Sequence, residues 1–281
     1  MLSYRHGFHA GNHADVFKHF VLSRLLLHLT RKDKPLWVID THAGAGAYSL
    51  EQGFAAQNAE FEKGIGRLWS RNDLPGPLAE YVEQVRALNA DGVLRFYPGS
   101  PQLALQMTRE QDRLRLFELH TNESKALQDY FRGAGRRVSV VADDGFAGLK
   151  SVLPPPSRRG LVLIDPSYEV KSDYRDVVIA MRDALQRFAT GTYAIWFPHL
   201  QRRESENLPE QLRRLAMGDW LHVSLDVSAP ATDGFGLHGS GVFIFNPPWN
   251  LETELRATMP ALVDVLGQDE QAAFSLQFRQ T

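Results

Sequence analysis

Short apolar runs recur along this chain, and their alternation with helical patterns constrains its fold more than any other feature. Such runs are typical of strands that are buried on both faces of a parallel sheet. Seven of them occur, at residues 36–40, 113–120, 138–142, 161–165, 192–197, 221–227 and 242–246. Because helical patterns separate most of them, we predict an α/β, Rossmann-like fold with a doubly wound, mainly parallel, seven-stranded sheet. The last two runs lack a helix between them, which predicts an antiparallel pair at one edge.

Two helical regions stand out from this alternation. Residues 14–31 carry leucines at helical spacing (Leu22, Leu25, Leu26 and Leu29), which predicts a helix with a core-facing stripe. Residues 49–92 show helical patterns and no strand pattern, so they are predicted to be a helical insertion after the first strand. The whole chain, 1–281, is therefore expected to form one domain with this small inserted subdomain.

The composition narrows the class of protein. The chain has 281 residues, no cysteine, and a formal net charge of −2. Disulfides and thiolate metal sites are excluded, and a histone-like, charge-driven nucleic-acid binder is disfavoured. No signal-peptide pattern opens the chain and no apolar stretch approaches the ~20 residues of a membrane span, so we expect a cytoplasmic protein that neither binds a metal nor contacts a membrane.

Several local groups of basic residues are candidates for phosphate contacts, with solvated surface as the alternative. The groups are Arg5, His6, His9, His13 and Lys18; Arg158 and Arg159; and Arg202 and Arg203.

A glycine-containing turn follows the first predicted strand at residues 40–46 (Asp-Thr-His-Ala-Gly-Ala-Gly). Ligands of doubly wound sheets bind at this end of the strands, and Gly44 would let a ligand approach the backbone. The third glycine of a dinucleotide motif is replaced by Ser49, which favours a cofactor without a pyrophosphate, such as S-adenosylmethionine. Glu118, at the end of the second strand, suits a ribose diol. An ordinary strand-to-helix turn and a surface glutamate are the alternatives.

The third strand ends at residues 143–145 (Asp-Asp-Gly). A carboxylate here could accept a hydrogen bond from an adenine amino group, and Asp144, beside Gly145, is the preferred candidate. An ordinary Asp-Gly turn is the alternative.

The fourth strand ends in residues 165–168 (Asp-Pro-Ser-Tyr), close to a motif of amino-group methyltransferases. An aromatic amine is a poor nucleophile, because its lone pair is delocalised into the ring. Hydrogen bonds from its two hydrogens to the Asp165 carboxylate and the Pro166 carbonyl would direct that lone pair at a methyl donor, and Asp165 would take the released proton. Tyr168 would offer a ring face to an unstacked base. A strand-end turn followed by a core tyrosine is the alternative.

Residues 246–249 (Asn-Pro-Pro-Trp) match the same motif more literally. The strand before Asn246 is the last one predicted, so we expect it near the sheet edge, away from the cofactor. The Asp165 strand, by contrast, can lie beside the first strand. Asn246 is therefore predicted to be structural.

Taken together, these motifs resemble the RlmJ (YhiR) family of 23S ribosomal RNA adenine-N6 methyltransferases over essentially the whole length. The most specific segments are residues 4–6 (Tyr-Arg-His), 8–16 (Phe-His-Ala-Gly-Asn-His-Ala-Asp-Val), 40–46, 97–101 (Tyr-Pro-Gly-Ser-Pro), 163–166 and 246–249. The resemblance implies a class I methyltransferase fold and a monomeric enzyme that uses S-adenosylmethionine on ribosomal RNA before assembly.

The resemblance also implies roles for individual residues. Asp165 would be the catalytic carboxylate and Tyr4 a substrate contact. Contacts to the cofactor would come from His19, His42, Ser100, Glu118, Asp144, Gly145 and Asp165. One position departs from the family's Asp-Pro-Pro-Tyr pattern, since Ser167 replaces the second proline, and we expect a less rigid turn there.

Two other functions remain open at this point. A DNA adenine methyltransferase would use the same chemistry, although no separate target-recognition domain is evident. A non-catalytic nucleic-acid-binding protein with a vestigial pocket is the alternative from a different class.

Overall fold

The computed structural model describes residues 6–280, which contain a central eight-stranded sheet and a separate two-stranded sheet. The central sheet has the strand order β10-β8-β9-β7-β6-β1-β4-β5, and β2 pairs with β3. The strands are β1 (Trp37–Asp40), β2 (Ala47–Ser49), β3 (Phe96–Pro98), β4 (Arg113–Phe117), β5 (Val138–Val141), β6 (Gly160–Ile164), β7 (Thr192–His199), β8 (Trp220–Asp226), β9 (Gly239–Phe245) and β10 (Ala273–Arg279).

Ten α-helices surround the sheet within the same residues. They are α1 (His13–Thr30), α2 (Phe54–Asn58), α3 (Ile65–Trp69), α4 (Gly76–Arg86), α5 (Ser100–Met107), α6 (Thr121–Tyr130), α7 (Gly145–Val152), α8 (Ser172–Arg187), α9 (Arg203–Leu215) and α10 (Leu251–Leu266). Short 3-10 helices lie at His6–Phe8, Glu60–Lys63 and Gly135–Arg137. Of the helices described, none is long and apolar enough to cross a bilayer.

The parallel half of the sheet has the predicted topology. Strand β1 pairs in parallel with both β4 and β6, with Trp37 opposite Arg113 on one side and Gly160 on the other. From β1 the chain continues to β4 and β5 on one side, and then to β6 and β7 on the other. The strand order therefore reverses between β1 and β6, which opens a crevice at their carboxyl ends. The prediction that the Asp165 strand lies beside the first strand is confirmed.

The antiparallel half differs from the prediction in two respects. The sheet has eight strands rather than seven, because β10 pairs antiparallel with β8 and forms the edge. Its apolar residues (Phe274, Leu276 and Phe278) alternate with exposed ones, which is the signal of a strand covered on one face only. In addition, the β8–β9 pair is antiparallel but does not lie at the edge, since β9 is inserted between β7 and β8.

Strand β9 is therefore neither the last strand nor an edge strand, and the reason given for setting Asn246 aside was wrong. Its direction separates it from the crevice instead. Because β9 runs antiparallel to β7, Phe245 lies opposite Tyr193, at the amino ends of the parallel strands. There the Asn246 Nδ2 donates hydrogen bonds to the carbonyls of Ala189 (2.8 Å) and Gly191 (2.6 Å). Asn246 thus braces the turn before β7.

The segment 49–92 contains α2, α3 and α4, as the helical patterns indicated. Strands β2 and β3 flank it and pair antiparallel, with Ala47 opposite Pro98, a contact that the sequence did not reveal. We propose that the segment is a subdomain inserted into one domain, because its apolar residues join the same core cluster as α1. These residues are Ile65, Leu68, Leu78, Tyr81, Val82 and Val85.

Helix α1 is buried on all faces, since it packs between the sheet, α4, α5 and α10. The predicted leucine stripe is present, but charged side chains are buried as well. Arg24 is only 3% exposed and its guanidinium pairs with Glu80 (2.5 Å) and with Glu254. A second apolar cluster covers the opposite face of the sheet under α7, α8 and α9. The fold therefore has three layers.

Packing of the insertion against the N-terminal segment predicts a steric effect at Gly64. A Cβ at this position would lie 2.0 Å from the Gly11 carbonyl oxygen, which is backbone and cannot move alone. Gly64→Ala is expected to lower the free energy of unfolding by about 1–3 kcal/mol. Gly76→Ala, where a Cβ would meet nothing within 4 Å, serves as the control and should be neutral or stabilising. Urea unfolding of both variants tests this, and equal stabilities would contradict the packing described.

Candidate active site

A cavity of about 240 Å³ opens at the carboxyl ends of β1, β4, β5 and β6. This is the crevice where doubly wound sheets bind ligands. The cavity brings together side chains that are distant in the chain, such as Lys18 and Asp165, which are 147 positions apart. Among its lining residues are all the predicted cofactor contacts and one further predicted residue of the reacting motif: His19, His42, Gly44, Ser100, Glu118, Asp144, Gly145, Asp165 and Pro166.

The turn after β1 is tied to the end of β4 by Glu118. The Gly44 amide donates to Glu118 Oε2 at 2.8 Å, and the His120 amide donates to Oε1 at 2.7 Å. Gly44 has a φ of +62°, a conformation that glycine adopts without steric cost. Burial raises the pKa of Glu118 above its ordinary value. The two backbone bonds hold this carboxyl group at the wall of the cavity.

Asp40 and Ser100 form a buried pair behind the glycine turn. Ser100 Oγ donates to Asp40 Oδ2 at 2.6 Å, and the His42 amide donates to Oδ1 at 3.2 Å. Burial and the nearby Asp165 carboxylate raise the pKa of Asp40 to about 6. Ser100 was predicted as a site residue, whereas Asp40 was noted only as part of the turn. The pair joins the start of α5 to the end of β1.

His19 reaches the cavity from α1 and is held by two tyrosines. Its Nδ1 is 2.8 Å from the Tyr97 hydroxyl, which in turn lies 2.8 Å from the Tyr81 hydroxyl. Burial, together with the neighbouring Lys18 charge, lowers the pKa of His19 to about 3, so the ring is neutral. Its Nε2 is buried and has no hydrogen-bond partner among the residues described. Because His19 also lines the cavity, this nitrogen is available to bond a ligand there.

His42 is oriented by Thr41. The Thr41 hydroxyl donates to the Leu163 carbonyl at 3.1 Å and lies 2.8 Å from His42 Nδ1. Since a hydroxyl has one hydrogen, this arrangement assigns the imidazole proton to Nδ1 and leaves Nε2 as an acceptor. Burial lowers the pKa of His42 to about 4. The ring packs edge-on against Phe146 at 4.9 Å.

Asp144 and Gly145 lie where β5 turns into α7. Asp144 caps this helix, because its Oδ1 accepts a hydrogen bond from the Phe146 amide at 2.8 Å. Asp144 lines the cavity, whereas Asp143 is absent from its walls. A Cβ on Gly145 would lie 2.0 Å from the Thr41 carbonyl oxygen, so the β1 and β5 turns can meet only if this residue is glycine. The structure therefore places Asp144, the preferred candidate, at the cavity and Asp143 outside its lining.

The Asp165 carboxylate is held by a lysine that sequence reasoning did not connect with it. Lys18 Nζ lies 2.6 Å from Asp165 Oδ2 and 2.8 Å from Asp15 Oδ1. Asp15 also accepts from His6 Nε2 at 3.0 Å. Burial alone would lower the pKa of Lys18, but the two carboxylates raise it above its ordinary value. Lys18 was predicted as a candidate for phosphate contacts, yet it is buried and paired.

Tyr168 does not have the position that was predicted for it. It is 1% exposed, it does not line the cavity, and its hydroxyl donates to the Trp196 carbonyl at 2.7 Å. Its ring contacts Tyr174 at 4.6 Å. The residue has a φ of +54°, which is unfavourable for a bulky side chain. The buried ring therefore anchors the turn that carries Asp165, and no face of it is open to a base in this structure.

A second cavity of about 500 Å³ lies on the other side of Asp165. His6, Lys18, Asp165 and Ser167 line both cavities, so the carboxylate stands on a shared wall. Trp196 of β7 lines the second cavity, with Lys18 Nζ 5.8 Å from its ring centroid. No local motif marked Trp196 or this second cavity.

The other basic candidates are distributed unevenly. His6, His9 and His13 line the second cavity. Arg159 lies at the amino end of β6, where its guanidinium donates to the carbonyls of Leu29, Lys32 and Lys34. Arg202 Nη1 is 3.4 Å from the Tyr168 carbonyl. Arg158 precedes Arg159 and also lies at the amino end of β6. Neither Arg158 nor Arg203 lines either cavity. Tyr4 and Arg5 are outside the described residues.

The strand order and the cavity at the switch point define a protein with the Rossmann-like, class I methyltransferase fold. A sequence profile of the family described as "Ribosomal RNA large subunit methyltransferase D, RlmJ" matches residues 33–279. The chain belongs to this family.

Two curated relatives and one solved structure are similar over nearly the whole chain. Ribosomal RNA large subunit methyltransferase J of Escherichia coli (strain K12) is 45% identical, covering 93% of each chain. The protein of the same name from Haemophilus influenzae (strain ATCC 51907 / DSM 11121 / KW20 / Rd) is 43% identical, covering 99% of each chain. The crystal structure of a Legionella pneumophila protein has a TM-score of 0.88 at 35% identity and covers 96% of this chain and 98% of its own.

The buried Asp40 predicts a pH dependence of stability. Its folded pKa of about 6 lies above the ordinary value of 3.8, so the stability that its protonated form contributes is present below pH 4 and is lost as pH rises to 6. The loss is at most about 3 kcal/mol, at 1.36 kcal/mol per pKa unit. The Asn side chain in Asp40→Asn does not titrate. The free energy of unfolding of this variant minus that of wild type should therefore increase from pH 4 to 6 and become constant above pH 7. Urea unfolding across this range measures the difference, and a constant difference would contradict the assignment.

Proposed function

We propose that this protein transfers a methyl group from S-adenosylmethionine to the N6 amino group of an adenine in protein-free 23S ribosomal RNA. The observation that carries the proposal is the position of Asp165 on the wall shared by two cavities. One cavity can hold a cofactor and the other a base, and the carboxylate faces both. Membership of the ribosomal RNA methyltransferase family supports the same reaction. We expect the protein to act as a monomer in the cytoplasm.

The lining of the first cavity fits the cofactor. When bound there, S-adenosylmethionine supplies a methyl group on a cationic sulfonium. Glu118 is held by two backbone amides in the manner that suits a ribose diol, and Asp144 can accept from an adenine amino group. His19 offers a buried, unpaired Nε2, which can bond to the amino-acid part of the cofactor. His42, Gly44, Ser100, Gly145 and Asp165 complete the contacts.

Asp165 would act on the target amine. One of its oxygens is bonded to Lys18 and the other can accept a hydrogen from N6. The Pro166 carbonyl would accept the second hydrogen, so that the nitrogen lone pair points toward the first cavity. As the methyl group would leave the sulfonium, which would become a neutral thioether, and bond to N6, the nitrogen would become acidic and its proton would pass to the Asp165 carboxylate. Lys18 keeps Asp15 as a partner when this charge is neutralised.

The second cavity would hold the unstacked adenine. Because the Tyr168 ring is buried, the aromatic surface available to the base there is Trp196. Tyr168 would contribute to catalysis through the turn that it anchors. Tyr4 would contact the RNA, as the resemblance to the family implies.

The central test is methyl transfer by Asp165 variants. Wild-type protein should transfer labelled methyl from S-adenosylmethionine to protein-free 23S ribosomal RNA, and digestion followed by mass spectrometry should identify N6-methyladenosine. Asp165→Asn keeps the shape but loses the charge and the proton acceptor, so its rate should fall at least about 100-fold. Calorimetry with the cofactor alone checks that the variant still binds it.

Matched DNA of the same sequence serves as the control substrate. An undiminished rate for Asp165→Asn would reject the role assigned to this carboxylate, and preferential methylation of DNA would reject the assignment of RNA as substrate.

A second test separates Trp196 from Tyr168. Trp196→Leu should lower kcat/KM for RNA by about 10-fold, because stacking of a base contributes about 1–3 kcal/mol, while affinity for the cofactor stays unchanged. Trp249→Leu, a change of an 81% exposed tryptophan beyond the other end of the sheet, is the matched control. Tyr168→Phe should lower the free energy of unfolding by about 1 kcal/mol through loss of its bond to Trp196. Normal kinetics in Trp196→Leu would rule out stacking on that ring.

A further inference from the structure

A cluster of two histidines and one aspartate lies outside the site of methyl transfer. His199 ends β7, Asp226 ends β8, and His238 immediately precedes β9. Because β9 lies between the other two strands, Gly239 is paired with both His199 and Asp226. This pairing brings together residues that are 27 and 12 positions apart in the sequence. One potential ligand atom of each residue lies within 4.8 Å of those of the other two.

The local geometry favours a bound ion. His199 Nδ1 lies 2.6 Å from Asp226 Oδ1, so one imidazole and the carboxylate already point at each other. His238 Nδ1 is buried and, among the residues described, has no hydrogen-bond partner. A Cβ on Gly239 would lie 2.1 Å from Asp226 Oδ1, so glycine leaves the space that this carboxylate occupies. A single cation could contact one ligand atom from each of the three side chains.

We propose that His199, Asp226 and His238 bind one Zn²⁺ ion per chain. Two imidazoles and a carboxylate are ligands that Zn²⁺ prefers, and three protein ligands leave a fourth position for water or a phosphate oxygen. Gly236 and Leu237, just before His238, line the second cavity. The ion would therefore fix the end of the 229–238 connection beside the place where the base enters. The sequence predicted no metal site, because these residues form no local motif.

Zinc titration of the full-length, tag-free protein tests the proposal without RNA or S-adenosylmethionine, so its outcome is independent of the proposed function. After removal of metals with a chelator, calorimetry with ZnCl₂ should give one site per chain with a micromolar or tighter Kd. His199→Gln, Asp226→Asn and His238→Gln should each weaken binding at least about 10-fold. His9→Gln and Asp233→Asn, a histidine and an aspartate outside the cluster, should retain the wild-type affinity.

Hydrogen exchange of the wild-type protein locates the ion even if a variant fails to fold. Zn²⁺ should slow amide exchange in residues 229–238 and at the ends of β7 and β8, and leave α6 unchanged. Absence of binding, equal affinity in all variants, or loss of binding only in His9→Gln would each overturn the proposal.

Discussion

The burial of Lys18 between Asp15 and Asp165 is the interaction on which the site depends. An ammonium group removed from water is destabilising by several kcal/mol unless opposite charges surround it. Here the two carboxylates lie at 2.8 and 2.6 Å, one on α1 and the other at the end of β6. The ion pairs therefore join the most buried helix to the strand that carries the reacting motif. They also place the Asp165 carboxylate at the boundary between the two cavities.

The surrounding structure holds this boundary rigid by different means on each side. On the side of the first cavity, backbone amides bind Glu118 and the Asp40–Ser100 pair braces the glycine turn. In the turn after Asp165, the packing of the buried Tyr168 ring maintains the left-handed backbone conformation of that residue. Ser167 in this turn has a rotatable φ, so the tertiary packing of Tyr168 supplies rigidity that the residue type at position 167 does not. The unfavourable φ of Tyr168 is thus maintained by the packing of its own buried ring.

Strand order explains which predictions were confirmed and which were wrong. The parallel strands were evident from apolar runs, and the crevice between β1 and β6 followed from chain order. Strand β10 was missed because it is covered on one face only, although its alternating residues are a recognisable signal. The insertion of β9 between β7 and β8 had no local signal, since it joins strands that are distant in the sequence. The same insertion creates the cluster of His199, Asp226 and His238.

The sequence by itself determined the fold class, the family resemblance, the glycine turn and the position of Asp165 at a strand end. These features depend on residues that are close together along the chain, where periodicity and turn chemistry act directly. Only the tertiary structure decided that Lys18 pairs with Asp165 and that Trp196 faces the second cavity while Tyr168 is buried. It also decided that His199, Asp226 and His238 meet. Each of these contacts joins segments that are distant in sequence, so it depends on how strands and helices pack together and on the energetic need to pair every buried charge.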